Sequence, residues 1–387
     1  MPYKIAKSID IWCLVTISNE QLLDLFDAAL AADYTRVRRL GAAIAKGVAP
    51  EDDQLARNLR ALLRRKGVPL RASGYSEALP VDSKSRLPLV DEMSWPSTPI
   101  FLEPSLQEIV TGFLDDVTNV DLLLSQGIST RLCLLLSGAP GTGKTLLAGH
   151  IAAQLNRPLY VVRLDSSISS LLGDTAKNVR SIFDYVPGRE GVLFLDEMDA
   201  IAKVRDDRHE LGELKRVVNT VIQGLDSLDD RAVVIAATNH PQLLDPAIWR
   251  RFPYKAELSA PSADVREEMW RHFLFSDAQA AGEATLLAQL SEGLTGAEIQ
   301  NLALSARRQA VLDGRAIDGA AVAWATTCSV EGGRALPPRG GLTADQKRQL
   351  ALSLSKVHGL SVTDTAAWVG VSRPTIYGYL KEESHGD

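Results

Sequence analysis

Gly138-Ala139-Pro140-Gly141-Thr142-Gly143-Lys144-Thr145 follows the pattern G-x-x-x-x-G-K-[ST]. Glycines at this spacing remove side chains, so successive backbone N–H groups can wrap a phosphate chain. An apolar segment of strand length, Arg131–Ser137, precedes the loop, and Leu146–Leu155 follows it with helical spacing. The start of that helix adds its positive end to the phosphate site. Lys144 would reach the β- and γ-phosphates of a nucleotide, and the Thr145 hydroxyl would ligate Mg²⁺. The eight residues alone also fit a chance match; the strand before and the helix after argue against one.

Three further stretches have the chemistry to complete such a site. Val192–Leu195 is apolar and ends in Asp196 and Glu197. Ligands of open parallel sheets bind beyond the carboxyl ends of the strands, so both carboxylates are expected beside the phosphate loop. Asp196 would hold Mg²⁺ directly or through water, and Glu197 would orient and deprotonate an attacking water. Strands often end in acidic turn residues, so this pair gains its weight from its distance after Lys144 and from the Met198-Asp199-Ala200-Ile201 that follows. Val233–Thr238 is a second apolar strand, and Asn239 at its end either forms a turn or hydrogen-bonds the γ-phosphate or the lytic water. Arg250 and Arg251 lie in Leu243–Phe252 beside proline and aromatic residues. They read equally as surface ion-pair partners and as arginines that stabilise charge on a transferred phosphoryl group.

Placing these groups together takes an α/β fold. Expected strands at Leu132–Leu136, Leu159–Val162, Val192–Leu195 and Ala232–Ala237 alternate with helical spacing at Glu103–Ser125, Leu146–Leu155, Ser169–Tyr185 and Gly212–Leu228. That alternation implies a parallel sheet covered on both faces. Residues 263–328 carry helical spacing only, in Val265–Leu274, Ala284–Glu292, Gly296–Leu312 and Gly319–Thr327. The chain therefore divides into a helical N-terminal region (1–66), a linker rich in proline, serine and charge (67–100), an α/β subdomain (101–262), a helical subdomain (263–328), a Gly/Pro hinge (329–341) and three short helices (342–387). In the N-terminal region Arg57, Arg60, Arg64, Arg65 and Lys66 surround one amphipathic helix. Such a patch is more often a solvated face than a nucleic-acid surface.

The bulk numbers exclude some classes. With 387 residues, 45% of them hydrophobic, ordinary cores can form. A net charge of −6 and a pI near 5.6 argue against a broadly basic nucleic-acid coat, though not against one small DNA-reading module. Cys13, Cys133 and Cys328 lie far apart without metal-ligand spacing, as reduced thiols of a cytoplasmic protein would. No cleavable signal pattern opens the chain, and the apolar run Ile9–Ile17 is too short to span a bilayer, so no membrane partner is expected.

Residues 101–328 resemble an AAA-clade AAA+ ATPase, a P-loop NTPase. Gly138–Thr145, Leu195–Ala200, Ala237–Asn239 and Leu244–Phe252 match its Walker A, Walker B, sensor 1 and second region of homology, and Gly293–Asn301 resembles its lid segment. The resemblance implies ATP and Mg²⁺. It places Gly296 and Ala297 by the nucleotide, with an alanine where other AAA+ clades carry a sensor-2 arginine. It implies a homo-oligomeric ring, usually a hexamer, with each ATP between two subunits. Arg250 and Arg251 then act on the neighbour's ATP, as the adjacent pair does in katanin- and spastin-like proteins. Ser169–Asp174 falls at the first pore loop, where an aromatic residue, a hydrophobic residue and glycine are usual; here they are Leu171, Leu172 and Gly173. Leucine offers less flat surface for gripping a threaded chain, and the two leucines otherwise pack within the ring. The whole is similar to bacterial stand-alone AAA proteins with a helical N-terminal region. Some of these occur beside subtilisin-like proteases, which implies a protease as one class of protein partner.

Leu360–Leu380 resembles a helix-turn-helix of the resolvase and invertase kind. Ala366 is small where two helices cross, Gly370 permits the turn, and Ser372 can cap the second helix. That helix would present Arg373, Thr375, Tyr377 and Gly378 to a major groove, with Lys381 near phosphate. The near-neutral charge of this region leaves a packing or oligomerisation module as the alternative. Two functions follow from these resemblances. One is an ATP-hydrolysing ring that remodels a protein or nucleoprotein partner and is targeted by a DNA-binding tail. The other is a DNA-bound, ATP-dependent switch that threads nothing, as in replication initiators and transposition regulators.

Overall fold

A computed structural model describes residues 80–81, 88–163, 175–185, 190–200, 211–276, 281–333, 336–338 and 340–384, with positions 23, 24, 40, 41, 43 and 44. Two compact units divide the chain, Met1–Leu79 and Pro80–Asp387. In the first, the six described positions are helical. The basic helix expected there lies outside the described residues, as do Leu171, Leu172 and Gly173.

The second unit begins with β1 (Asp91–Met93), α1 (Pro104–Thr118) and α2 (Val120–Ser125). Then come β2 (Cys133–Ser137), α3 (Lys144–Gln154), β3 (Leu159–Arg163), α4 (Thr175–Tyr185), β4 (Val192–Asp196), α5 (Leu211–Ser227) and β5 (Val233–Thr238). A four-residue helix, α6 (Pro246–Trp249), leads to β6 (Tyr254–Glu257). The sheet order is β1-β3-β4-β5-β2-β6. Every neighbouring pair is parallel except β1 with β3. β2 and β5 are buried along their whole length, as strands covered on both faces must be. Successive side chains of β2 alternate between two cores. Cys133 and Leu135 pack with Val179, Phe183, Val217 and Leu225 of α4 and α5, while Leu134 and Leu136 pack with Phe113 of α1 and Ile151 of α3.

Two strands lie outside the sequence expectation. β1 sits inside the stretch read as a linker, where Asp91–Met93 pairs with Leu159–Val161 and Val90 is fully buried. A three-residue edge strand with exposed Asp91 and Glu92 carries no apolar alternation, so composition alone made it linker. β6 is also an edge strand, and only Ala256 of its four residues is buried.

Helices α7 (Ala263–Phe273), α8 (Ala281–Leu290), α9 (Gly296–Asp313) and α10 (Gly319–Val330) follow, with no strand between them among the described residues. The C-terminal helices α11 (Ala344–Leu352), α12 (Val362–Val369) and α13 (Arg373–Ser384) pack into the same core. Leu350, Leu354, Ala366, Val369 and Ile376 join Trp270, Leu287, Ile299 and Val322 in one cluster. A Cβ on Gly319 would lie 3.3 Å from the Trp368 ring, so α10 and α12 approach closely there. The expected hinge, 329–341, thus joins two parts of one core. Glycine and proline report local backbone freedom, and they say nothing of the apolar faces on either side.

Candidate functional site

The phosphate loop turns between β2 and α3. Gly138 has φ +146°, and a Cβ there would stand 2.1 Å from the Leu258 carbonyl oxygen, so no side chain fits. Its N–H donates to the Thr238 carbonyl at the end of β5 (3.3 Å), which ties the loop to the neighbouring strand. Lys144 opens α3 and is buried. Its ammonium donates to the Gly138 and Ala139 carbonyls at 2.7 and 2.9 Å. Burial pushes its pKa down, while the charges of Asp196 and Asp199 act the other way. An anionic oxygen is a stronger acceptor for an ammonium than either carbonyl.

The carboxyl ends of β4 and β5 bring the next groups in. The Thr145 hydroxyl donates to Asp196 Oδ2 at 3.2 Å. A hydroxyl and a carboxylate in contact at the loop's exit are hard oxygen donors of the kind Mg²⁺ takes. Glu197 adopts a left-handed backbone, φ +55°, and its N–H donates to Asp196 Oδ1 at 2.9 Å. Non-glycine residues seldom hold this conformation. Here the following residue fixes it: Met198 is fully buried, and its N–H donates to the Ala237 carbonyl on β5. Asp196, Glu197 and Asn239 line one cavity of about 480 Å³ together with Pro140–Leu146.

Asp199 organises this end of the sheet and was named in the sequence only as part of a run. It is buried, with 2% of its surface exposed. Its Oδ1 accepts from the Thr238 hydroxyl (3.3 Å) and from the Asn239 N–H (3.1 Å). The carboxylate after β4 therefore holds the residue after β5 in place.

The helical subdomain closes the cavity from the other side. Thr295 and Glu298 form a reciprocal capping box that starts α9, and the Ala297 N–H donates to the Gly141 carbonyl at 3.2 Å. Gly296 and Ala297 both line the cavity. Its apolar end is formed by Ile100, Phe101, Leu102, Val265, Met269 and Phe273. None of these was singled out from sequence. The available signal was the spacing of Val265, Met269 and Phe273, which puts them on one stripe of α7. Residues 95–103 cross to this end as a strap. The Trp95 indole donates to the Arg157 carbonyl (3.0 Å), His150 Nε2 meets the Thr98 carbonyl (2.8 Å), and the Ser262 N–H donates to the Glu103 carboxylate (2.6 Å). The Phe101 ring meets Phe273 edge-on, with centroids 5.7 Å apart.

Arg250 and Arg251 do not line this cavity. Arg250 is exposed, and its side chain makes no hydrogen bond or ion pair among the described residues. Arg251 is bound by Asp226 of α5. In the C-terminal helices, Gly370 ends α12 in the left-handed conformation, and the Thr375 N–H donates to the Ser372 hydroxyl at 3.4 Å. Arg373, Tyr377 and Lys381 are exposed at four-residue spacing, on one face of α13. Thr375 is half-buried and turns its hydroxyl to Ser372, 2.8 Å away.

Residues 134–260 match the family described as ATPase family associated with various cellular activities (AAA). An uncharacterized AAA family ATPase of Sinorhizobium fredii is 36% identical over 216 residues, 56% of this chain and 65% of that protein. The ATP-dependent zinc metalloprotease FtsH 2 of Bdellovibrio bacteriovorus is 36% identical over 178 residues, 44% of this chain and 29% of its own length. A proteasome-activating nucleotidase of Sulfurisphaera tokodaii is 34% identical over 207 residues, 51% of this chain and 52% of its own. The chain thus spans less than two thirds of the length of each of these relatives. It carries an AAA ATPase domain, built as a mixed α/β fold around a parallel sheet. No helix among the described residues is long and apolar enough to cross a membrane.

Proposed function

We propose that this AAA ATPase domain hydrolyses ATP in a ring of identical subunits and uses the cycle to remodel a protein or nucleoprotein partner. The observation that carries this reading is the meeting of Thr145, Asp196, Glu197 and Asn239 around one glycine loop, with Ala297 of the helical subdomain hydrogen-bonded to the same loop. Gly138–Gly143 would wrap the triphosphate, and Lys144 would bind its β- and γ-oxygens. Thr145 and Asp196 would hold Mg²⁺, which neutralises phosphate charge when bound. Glu197 would take the proton of the attacking water, and Asn239 would orient that water. The left-handed turn at Glu197 is tied to β5 through the Met198 N–H, which sets where the Glu197 backbone leaves the strand. Ile100, Phe101, Met269 and Phe273 would receive the base. Arg250 and Arg251 lie off the subunit's own cavity, which suits action on a neighbour's phosphate.

In this reading residues 101–262 and 263–328 are the two halves of the nucleotide site, and the chain works in the cytoplasm. Duplex DNA is the proposed target of α12–α13, on the strength of the exposed Arg373–Tyr377–Lys381 face. Two of the relatives are a protease and a proteasome-activating nucleotidase by name, which supports a proteolytic machine as one class of partner. The shared core of α7–α13 favours a second reading, a DNA-bound switch, because a ligand on α13 would then bias the closure of the nucleotide site directly.

The test is a size and shape measurement of the Glu197→Gln protein with ATP, with and without duplex DNA. ATP-dependent assembly that duplex enhances, with the enhancement lost as salt is raised, is the expected result. A monomer under all conditions would overturn the ring, and assembly indifferent to duplex would remove DNA from the proposal.

A further inference from the structure

The two adjacent arginines occupy different chemical situations. Each of the three guanidinium nitrogens of Arg251 makes a contact inside its own subunit. Nε and Nη2 donate to the two oxygens of Asp226 at 3.2 and 3.0 Å, and Nη1 donates to the Ala247 carbonyl of α6 at 3.1 Å. This is the two-pronged fit of guanidinium to carboxylate, which fixes geometry as well as adding energy. A second cation joins it, since Arg131 Nη1 reaches Asp226 Oδ1 at 2.6 Å from the segment leading into β2. These hydrogen bonds, that of Arg251 first and that of Arg131 second, hold the Asp226 carboxyl below the usual carboxylate range, so the clasp stays charged across ordinary pH. Arg250, one residue earlier, is exposed and has no side-chain partner among the described residues.

The clasp ties together three elements that sequence keeps apart. Asp226 stands near the end of α5, Arg131 leads into the strand that carries the phosphate loop, and Arg251 follows α6. α6 has only four residues, too few to hold its own direction, so its end needs an external anchor. Its start is fixed by the Asp245 side chain, which accepts from the Ala247 N–H at 2.8 Å. Its end is fixed by Arg251. Arg250 lies between those two anchors.

We propose that Arg250 alone is the arginine offered to the neighbouring subunit's phosphate, and that Arg251, Asp226 and Arg131 form a clasp that positions it. This assignment rests on the reading of the domain as a ring with shared sites. It parts from the expectation that both arginines act on the neighbour's ATP. Arg251 and Asp226 are positioning residues, and Arg250 is the catalytic one.

Asp226→Asn discriminates, because the two roles give it opposite signs. If Arg251 were the arginine offered to the neighbour's phosphate, weakening its hold on Asp226 would leave turnover unchanged or raise it. If the clasp positions Arg250, Asp226→Asn lowers kcat about tenfold, Arg251→Gln lowers it by a similar factor, and the double variant is no worse than either, since both break one unit. Arg250→Ala should then lower kcat by about a thousandfold, within the range known for arginines that act in trans. ATP affinity, read by titration with a fluorescent nucleotide, should stay within about twofold in every variant, as none of these residues lines the subunit's own cavity. Unchanged or faster turnover in Asp226→Asn beside a large loss in Arg251→Gln would overturn the clasp, and so would additive losses. A parallel loss of affinity would make Asp226 a general structural element and end the proposal. The underlying reading is tested apart from this, by mixing Arg250→Ala with Glu197→Gln. Regained turnover supports shared sites, and none under co-assembly removes them whatever Asp226 does.

Discussion

The two ends of the cavity beside the glycine loop are built by opposite means. The phosphate end comes from short segments in which chemistry and backbone conformation are written side by side: Gly138–Thr145 in one turn, Asp196 to Asp199 in another. Its polar groups are fixed by neighbours, with Asp199 holding Asn239 and Met198 holding Glu197. The apolar end is assembled from a strap before α1, the inner stripe of α7 and the start of α9, which meet only in the folded chain. One end requires exact atoms at fixed positions. The other requires surface, and surface tolerates substitution. Changes at the phosphate end should therefore strike kcat or abolish binding, whereas changes at the apolar end should appear in KM alone.

That contrast can be broken at four points. Glu197→Gln should retain ATP binding and lose about a thousandfold in kcat, within the range for a positioned base; steady-state turnover with a parallel binding titration decides it. Lys144→Ala should cut ATP affinity by about a hundredfold, through loss of a charge-assisted contact; calorimetry measures it directly. Asp199→Ala leaves the Asn239 N–H and the Thr238 hydroxyl without this acceptor, so kcat should fall about tenfold and unfolding stability by about 1–3 kcal/mol. Denaturant unfolding beside turnover separates the two losses, and a change in KM alone would break the comparison here. Met269→Ala should do the least: about a fivefold rise in KM with kcat intact, from roughly 1 kcal/mol of lost apolar contact. A fall in kcat would show that the apolar end also steers the phosphates.

The same division explains what sequence made legible. The glycine loop, the carboxylates after β4 and the asparagine after β5 were readable because each is a local pattern at a strand end, and strand ends of one parallel sheet converge. β4 pairs with β5, which brings Asp196 and Asn239 to the same end of the sheet. Phe101 and Met269 were not readable, since an apolar residue lining a cavity looks like any core residue in a single sequence. β1 and β6 escaped because edge strands carry charge where central ones carry Val and Leu. The split between Arg250 and Arg251 was hidden for another reason: Asp226 lies 25 positions away, and nothing in the local pattern selects it as the partner. The packing of the helices after 329–341 was hidden at long range too, because Trp368, Leu350 and Ile376 show helical spacing but not what they press against.

The continuous core of α7–α13 makes a lever of the helical subdomain. α9 starts at the phosphate loop, where Ala297 touches Gly141, and its 18 residues run for about 27 Å. A pivot of about 10° at that contact would sweep the far end through about 5 Å, close to one helical turn. α10 packs on α9, and α11 and α12 pack on α10, so the exposed face of α13 rides on the same arm. Trimming the chain after residue 341 would therefore do more than remove a tail. It would strip Leu350, Leu354 and Ile376 from the arm's own interior, so single exposed substitutions on α13 are the cleaner way to silence it.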